Sequence, residues 1–174
     1  GYYHRRPENL LLMPKRGFLL EPSDWKLPKP HPSRRAKPPR TGCDACGLYK
    51  GLASPRMAPH GGGRMGIMVV GEAPGQEEDR EGIQFRGRAG RMLKRFLARY
   101  GVDLDRDCTK ANAVACRPVG ADGHNREPTP EEVRHCHQRL ERDILAAKPE
   151  LIFALGTTAI AAVLDDAPPG LSMN

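Results

Sequence analysis

The 174-residue sequence has few aromatic residues, no long apolar run and no internal repeat. No stretch approaches the roughly 20 apolar residues that a membrane helix needs, so we expect no membrane association. The N-terminus lacks the charged, apolar and small-residue pattern of a secretory signal. Together these absences argue against a membrane or secreted protein and predict a soluble, cytoplasmic one.

The charge balance is basic, with 28 Lys and Arg residues against 21 Asp and Glu residues and a net charge of +7. Such a balance favours a polyanionic partner such as nucleic acid. The chain also has five cysteines. Without a secretory signal, they indicate an intracellular metal site before a disulfide framework.

Two regions of different composition divide the chain. Residues 1–42 are rich in proline and in basic residues and have no sustained helical or strand period. This composition predicts an extended basic tail or a linker. Residues 43–174 are predicted to form the folded domain.

From residue 61 the sequence alternates between strand and helix patterns. Strands are predicted at 65–70, 110–115 and 151–155, and helices at 88–100, 130–148 and 157–164. A capping box, Thr129 to Glu132, opens the second helix. The first helix has a predicted buried face made of Ala89, Met92, Leu93, Phe96, Leu97 and Tyr100. The alternation predicts an α/β fold, a three-layer α/β/α sandwich around a parallel sheet.

The stretch Gly71 to Asp79 follows the first predicted strand and contains four carboxylates. Ligands of open α/β sheets bind beyond the carboxyl ends of strands, so this loop is a candidate binding site. Carboxylates crowded in this way favour contact with a ligand or a cation. The alternative is a solvated helix start, because Asp and Glu stabilise helix N-termini. The loop alone leaves both interpretations open.

Four of the cysteines have the spacing of a metal site. Cys43 and Cys46 form a C-x-x-C pair, Cys116 ends a predicted strand, and Cys136 lies in the helix that follows. Four thiolates suit either tetrahedral zinc or a cubane iron–sulfur cluster, and the spacing does not decide between them. Cys108 is left over, as a core or surface thiol or as a rival ligand.

Five motifs occur together in one order. They are Gly71–Gly75, Phe85–Gly90, Asn112–Pro118, Asn125–Glu132 and Ala154–Gly156. In this order they resemble the family-four uracil-DNA glycosylases, the iron–sulfur branch of that superfamily. The resemblance implies hydrolysis of the N-glycosidic bond of uracil in DNA, which starts base excision repair. It also implies a short, mainly parallel four-stranded sheet.

The same resemblance implies the cofactor and the partners. It favours a [4Fe–4S] cluster, with zinc as the alternative, held by Cys43, Cys46, Cys116 and Cys136. The partner is DNA that contains uracil. We expect a monomer, with a sliding clamp or another replication protein as a candidate partner.

Base recognition is assigned by resemblance to residues around the first strand end. A base must leave the duplex stack to be reached, so the site is a pocket. Phe85 offers a face on which uracil stacks, and the amide of Asn112 matches uracil O4 and N3–H. Glu78 crowds the C5 position and rejects the methyl group of thymine. Gly71 and Ala73 complete the substrate-binding set.

Catalysis is assigned by resemblance to Glu72 and Asn125, which help to hold the attacking water and the reacting sugar. Cleavage develops positive charge on the sugar and negative charge on uracil, so it needs a carboxylate near the sugar. Other branches of the superfamily have an aspartate where this chain has Ala73. A carboxylate at that position therefore does not activate the water.

One family motif is missing, a histidine-led loop after a fourth strand. Residues 165–174 read as a polar tail, His31 lies in the N-terminal tail, and His124 lies in a small loop insertion. Two hypotheses follow. The first is an active glycosylase or a C-terminally truncated fragment of one, and the second is a non-catalytic iron–sulfur DNA-binding module of a larger repair or replication protein. A third hypothesis is a zinc-stabilised α/β hydrolase that acts on a small nucleotide.

Overall fold

Three parallel strands form the centre of residues 43–164, the part of the chain that the structure, a computed structural model, describes. They are β1 (Ile67–Gly71), β2 (Cys108–Asn112) and β3 (Leu151–Ala154), and their order in the sheet is β2-β1-β3. The predicted basic tail at 1–42 and the polar end at 165–174 lie outside the described residues.

The central strand carries an apolar run, as a strand covered on both faces should. Met68, Val69 and Val70 are almost completely buried. β1 and β2 are paired so that Gly71 lies opposite Asn112, and both strands end there. The sheet therefore brings the first and third motifs of the sequence to one edge.

The described residues contain four helices. They are α1 (Gln76–Glu81), α2 (Arg88–Ala98), α3 (Pro130–Ala147) and α4 (Thr157–Leu164). Three of them, α2, α3 and α4, contribute to the cores on the faces of the sheet. α3 and α4 contribute to a core with Met68 and Val70, whereas α2 packs on the opposite face with Val69. The predicted α/β fold with helices on both faces of a parallel sheet is confirmed, although the described residues contain three strands where the family resemblance implied four. None of these helices is long and apolar enough to cross a membrane.

β2 begins two residues earlier and ends three residues earlier than its predicted range of 110–115. It begins at Cys108 and ends at Asn112, and the chain then continues as a buried, non-strand segment to Cys116. Ala113 N–H and Val114 N–H donate to the carbonyls of Gly71 and Glu72. The apolar sequence up to residue 115 is therefore explained by burial and not by the sheet.

Four of the six residues of the predicted buried face of α2, Ala89 among them, are exposed. Met92, Phe96 and Tyr100 are 63%, 52% and 71% exposed, while Leu93 and Leu97 pack towards the core. Phe96 and Tyr100 pack on each other instead, with ring centroids 5.3 Å apart. Within α2, Leu93 and Leu97 are the apolar residues that pack against Val69, Leu104 and Cys108.

The start of α3 matches its predicted capping box. Thr129 Oγ1 accepts a hydrogen bond from Glu132 N–H, and the Glu132 carboxylate accepts one from Thr129 N–H. Arg126 adds two hydrogen bonds to the same carboxylate, at 2.6 and 2.8 Å. The hydrogen bonds from Arg126 lower the pKa of Glu132, against the effect of burial.

Candidate active site and cysteine cavity

A pocket of about 350 Å³ lies at the carboxyl ends of β1 and β2. We call it the strand-end pocket. Its lining comes from the turn after β1, the loop before α2, the first turns of α2 and the ends of β2 and β3. The lining residues are Gly71, Glu72, Ala73, Gly75, Glu78, Phe85, Ala89, Leu93, Asn112 and Leu155. Six of the seven residues predicted to bind or act on substrate are among them.

Gly71, Phe85 and Asn112 meet at the centre of this pocket. A Cβ on Gly71 would stand 2.6 Å from Asn112 Oδ1 and 3.0 Å from Phe85 Cζ. Glycine therefore lets the aromatic ring and the amide approach the same end of β1. The amide of Asn112 is only 5% exposed. Such a pair can stack a flat ring and hydrogen-bond its edge.

Phe85 has a strained backbone, with φ of 60° in the left-handed region that non-glycine residues rarely adopt. Gly90 in α2 allows this conformation, because a Cβ there would lie 2.0 Å from the Phe85 carbonyl oxygen. The helix thus presses directly against the Phe85 backbone. The loop holds its aromatic ring over the pocket by close packing.

Glu72 is held from a distant part of the sequence. Thr158, in the first turn of α4, donates a hydrogen bond of 2.9 Å from its hydroxyl to Glu72 Oε2. The N-terminus of a helix also carries partial positive charge, which favours a carboxylate there. The carboxylate is consequently fixed at the mouth of the strand-end pocket. Thr158 was not predicted as a site residue.

The other carboxylates of the acidic stretch each have a separate partner. Glu77 pairs with Arg91 at 2.7 Å, and Asp79 accepts from Ser54 N–H at 2.9 Å. The stretch also forms the start of α1, with three acidic residues in its first turn. Crowding of carboxylates is thus explained by helix capping and by these separate contacts, as well as by the pocket.

Glu78 lines the pocket and also connects two of its loops. Its two carboxylate oxygens accept from Gly75 N–H at 3.0 Å and from Gly87 N–H at 2.6 Å. The side chain is buried. Besides its predicted contact with the base, this carboxylate therefore fixes the loop that carries Phe85.

Asn125 lies beside the pocket and does not line it. Its side-chain nitrogen lies 3.2 Å from the place a Cβ on Gly75 would take, and its Oδ1 accepts from Arg117 Nε at 2.6 Å. Arg117 also donates to the carbonyl of Gly123. The guanidinium group thereby sets the direction of the Asn125 amide, a contact that the sequence did not suggest. His124 lies exposed in the same turn and does not reach the pocket lining.

The four predicted metal-binding cysteines line a second, larger space of about 630 Å³, the cysteine cavity. The cavity brings together Cys43 and Cys46, the end of the buried segment after β2, and α3. Burial raises the pKa of Cys116, and the sulfurs of Cys136, Cys43 and Cys46 add to that rise. The four thiols are thus close enough to influence one another's charge.

Cys108 is not part of this cavity. It is fully buried at the start of β2, in the core with Val69 and Leu104. Burial raises the pKa of its thiol. This position makes Cys108 a core residue and removes it as a rival ligand.

The side chains that line the cysteine cavity determine which kind of group it could hold. In residues 43–164, no set of three or more His, Cys, Asp or Glu side chains is arranged to hold a metal ion. What the cavity has is four soft thiol donors around a common space, two of them buried. Thiols of this kind bind zinc or iron–sulfur clusters once deprotonated. The donor chemistry fits such a group.

Residues 59–171 match the uracil DNA glycosylase superfamily. This chain belongs to that superfamily. The match spans the strand-end pocket and two of the four cysteines of the cavity. Of the three hypotheses from the sequence, it favours the glycosylase family over an unrelated nucleotide hydrolase.

The family-four resemblance is confirmed by known relatives. The chain is 39% identical over 123 residues to a Type-4 uracil-DNA glycosylase from Pyrobaculum aerophilum, which is 71% of this chain and 60% of that protein. It is 42% identical over 99 residues to one from Thermotoga maritima, which is 57% of this chain and 49% of that protein. The chain thus spans about half to three fifths of the length of these relatives.

A viral protein is also similar to part of the chain. A DNA polymerase from Bacillus phage SP01 is 29% identical over 104 residues, which is 60% of this chain and 11% of the polymerase. A segment similar to this chain thus also occurs within a much longer protein.

Proposed function

We propose that this member of the uracil-DNA glycosylase superfamily removes uracil from DNA by hydrolysis of the N-glycosidic bond. The observation that carries the proposal is the meeting of Phe85, Asn112 and Glu72 around Gly71. An aromatic face, a buried amide and a fixed carboxylate surround one pocket at the end of parallel strands. The similarity to Type-4 enzymes supports the assignment.

Recognition begins when a nucleotide leaves the DNA stack and enters the strand-end pocket. Uracil stacks on Phe85, and the Asn112 amide donates to O4 and accepts from N3–H. Cytosine has the opposite donor and acceptor pattern at these positions, so it would leave the buried amide unpaired. Glu78 lies where the C5 position of the base enters, and it limits the space for a methyl group.

Cleavage breaks the bond between the base nitrogen and C1′ of the sugar, and the bonding electrons leave with uracil as an anion. The Glu72 carboxylate stabilises the positive charge that develops on the sugar. Asn125 holds the attacking water, whose oxygen bonds to C1′ and whose proton is released. Thr158 and Arg117 orient these two side chains.

The four cysteines of the cavity are proposed to hold a [4Fe–4S] cluster. Zinc is the alternative, since both need thiolates. When bound, the group supplies bonds that connect the segment at Cys43 and Cys46 to Cys116 and to α3. This is a structural contribution, and the reaction itself uses the strand-end pocket.

A second candidate function is a DNA-binding module without glycosylase activity, within a larger replication or repair protein. The similarity to a segment of a phage DNA polymerase favours it. Both candidates share the pocket and the cavity. They differ in whether Glu72 and Asn125 act on the sugar.

Single-turnover cleavage of a uracil-containing oligonucleotide tests the proposal. We expect the wild-type chain to release uracil, and E72A and N125A to lower the rate by about 100-fold each, the scale of losing one preorganised electrostatic contact. E77A is the matched control, because Glu77 belongs to the same acidic stretch but pairs with Arg91 at the surface.

The outcomes separate the two candidate functions. Cleavage by the wild type that E72A and N125A leave unchanged would remove both residues from the mechanism. A wild-type chain that binds uracil-containing DNA above thymine-containing DNA, yet releases no uracil, would favour the non-catalytic module.

A further inference from the structure

We propose that Arg139 is a positioning residue that couples the cysteine cavity to the base-recognition amide of Asn112. This inference rests on the proposed function, because it concerns how uracil is recognised. It assigns a role to a residue that lies in neither of the two sets predicted from the sequence.

Arg139 makes its contacts at the end of β2. Its guanidinium group donates to the backbone carbonyls of Asn112 and Ala113, and it pairs with Asp143 one turn further along α3. Only 17% of the Arg139 side chain is exposed. A charged group buried to this extent and bonded to carbonyls fixes the backbone to which the Asn112 side chain is attached.

The same side chain belongs to the wall of the cysteine cavity. Arg139 lines that cavity together with Cys136, which precedes it by about one turn of α3. A negatively charged group held by the cysteines would therefore lie in the same cavity as the Arg139 guanidinium.

A covalent path runs alongside this contact. The segment from Asn112 to Cys116 is buried throughout, and its ends lie at the pocket and at the cavity. Arg56 N–H donates to Cys116 Sγ at 3.2 Å, and Met57 N–H donates to the carbonyl of Ala115. Movement of Cys116 would thus reach Asn112 along a short segment that is buried throughout.

Arg139 also has one unused donor. Among residues 43–164, its buried Nε has no hydrogen-bond partner. Buried polar groups usually have a partner, so a free donor in the wall of this cavity fits an acceptor held by the cysteines. An iron–sulfur cluster brings sulfur acceptors of that kind.

Coupling of this type must act in both directions. If the group at the cysteines affects uracil binding through Arg139, uracil binding must affect that group through the same residue. If Arg139 had only a structural role, its substitution would change the affinity and the bleaching rate equally for uracil DNA and thymine DNA. The difference between uracil and thymine is therefore the decisive readout.

The experiment uses the 174-residue chain reconstituted with iron and sulfide. A chelator removes the cluster, and the loss of its visible absorbance gives a rate of bleaching. The rate is measured with an oligonucleotide that carries a non-hydrolysable deoxyuridine analogue and with the same oligonucleotide carrying thymidine. Binding constants for both are measured by fluorescence anisotropy.

We expect uracil DNA to slow bleaching of the wild type more than thymine DNA does. R139Q should abolish this difference and lower the preference for uracil by about tenfold, the effect of one charge-assisted hydrogen bond. R142Q is the matched control, because Arg142 lines the same cavity but donates to Gln138 in its own helix. It should behave as the wild type.

A second variant keeps the inference testable if R139Q does not fold. D143N keeps the guanidinium charge of Arg139 but removes the carboxylate with which it pairs. It should partly reduce the difference in bleaching rate between uracil DNA and thymine DNA. An R139Q protein that keeps the full difference in bleaching rate and the full preference for uracil would overturn the inference. If R139Q does not fold, the same result with D143N would overturn it. So would a wild type that prefers uracil but bleaches equally with both oligonucleotides. A wild type with no preference for uracil would overturn the proposed function, and this inference with it.

Discussion

The strand-end pocket and the cysteine cavity share the buried segment from Asn112 to Cys116, but their side chains are fixed in different ways. In the pocket, nearly every functional group already has a protein partner: Thr158 holds Glu72, and two backbone N–H groups hold Glu78. In the cavity, the thiols of Cys116 and Cys136 are buried, and burial raises their pKa.

This difference separates two kinds of site. A site built from hydrogen bonds between protein groups is organised before its ligand arrives. A site of buried thiols becomes stable in its charged form only when a metal group replaces the protons. The pocket should therefore survive small changes in solution conditions, whereas the cavity should depend on the metal group proposed for it.

Removing one cavity cysteine is expected to have the largest effect. C136A should abolish iron retention and lower the free energy of unfolding by about 4 kcal/mol or more, the range reached by loss of a metal site. Iron content and urea unfolding measure the two effects.

C108A is the control for that change. Cys108 lies in the core outside the cavity, so this variant should keep its iron and lose about 1 kcal/mol, the cost of one small buried group. Equal iron loss in both variants would contradict the distinction between core and cavity thiols.

Filling the pocket is expected to have the next largest effect. G71A places a methyl group against Asn112 Oδ1 and the Phe85 ring, so uracil release should fall by about 100-fold, as for a misplaced reacting group. Iron content should stay at the wild-type level. Single-turnover cleavage and iron analysis test both statements.

G101A provides the comparison for G71A. A methyl group at Gly101 meets open space, and only its positive φ of 76° is strained. It should lower stability slightly and leave cleavage unchanged. Wild-type activity in G71A would show that the pocket centre is not where uracil binds.

A smaller effect is expected from loss of the hydrogen bond between Thr158 in α4 and Glu72 in the pocket lining. T158V removes the hydroxyl that donates to Glu72 but keeps the shape of the side chain, so the cleavage rate should fall by about tenfold. T158S restores the donor and should restore the rate. T157V should cleave as the wild type, and a matching loss there would point to disruption of the helix start.

The smallest effect is expected at the start of α3, the helix that carries both Cys136 and Arg139. E132Q keeps the capping geometry but loses the charge pair with Arg126, which should cost about 1 kcal/mol at neutral pH. Because the folded-state pKa of Glu132 is lowered, this stabilisation is complete above the ordinary value of 4.5 and disappears as the pH falls through the lower, folded-state value.

Urea unfolding at several pH values measures the difference between wild type and E132Q. The difference should shrink on acidification. A difference that grows towards low pH would contradict the sign of the pKa shift.

The sequence predicted the alternation of strands and helices because apolar periodicity reports which side of an element is covered. It also predicted the pocket residues, since motifs that follow parallel strands meet at one sheet edge, as Gly71 and Asn112 do. The same periodicity failed for α2. Met92, Phe96 and Tyr100 are exposed, because a periodic pattern shows that a helix has an apolar stripe but not how much of that stripe the rest of the protein covers.

Local sequence thus determined the elements, the capping of α3 and the residue types that uracil chemistry and thiol ligation require. Only the tertiary structure decided which groups hold them: Thr158 for Glu72, Arg117 for Asn125 and Arg139 for the backbone of Asn112. The physical reason is distance along the chain. A periodic pattern or a motif records neighbours within one element, whereas a hydrogen bond between residues 72 and 158 exists only once the sheet has brought two strand ends together.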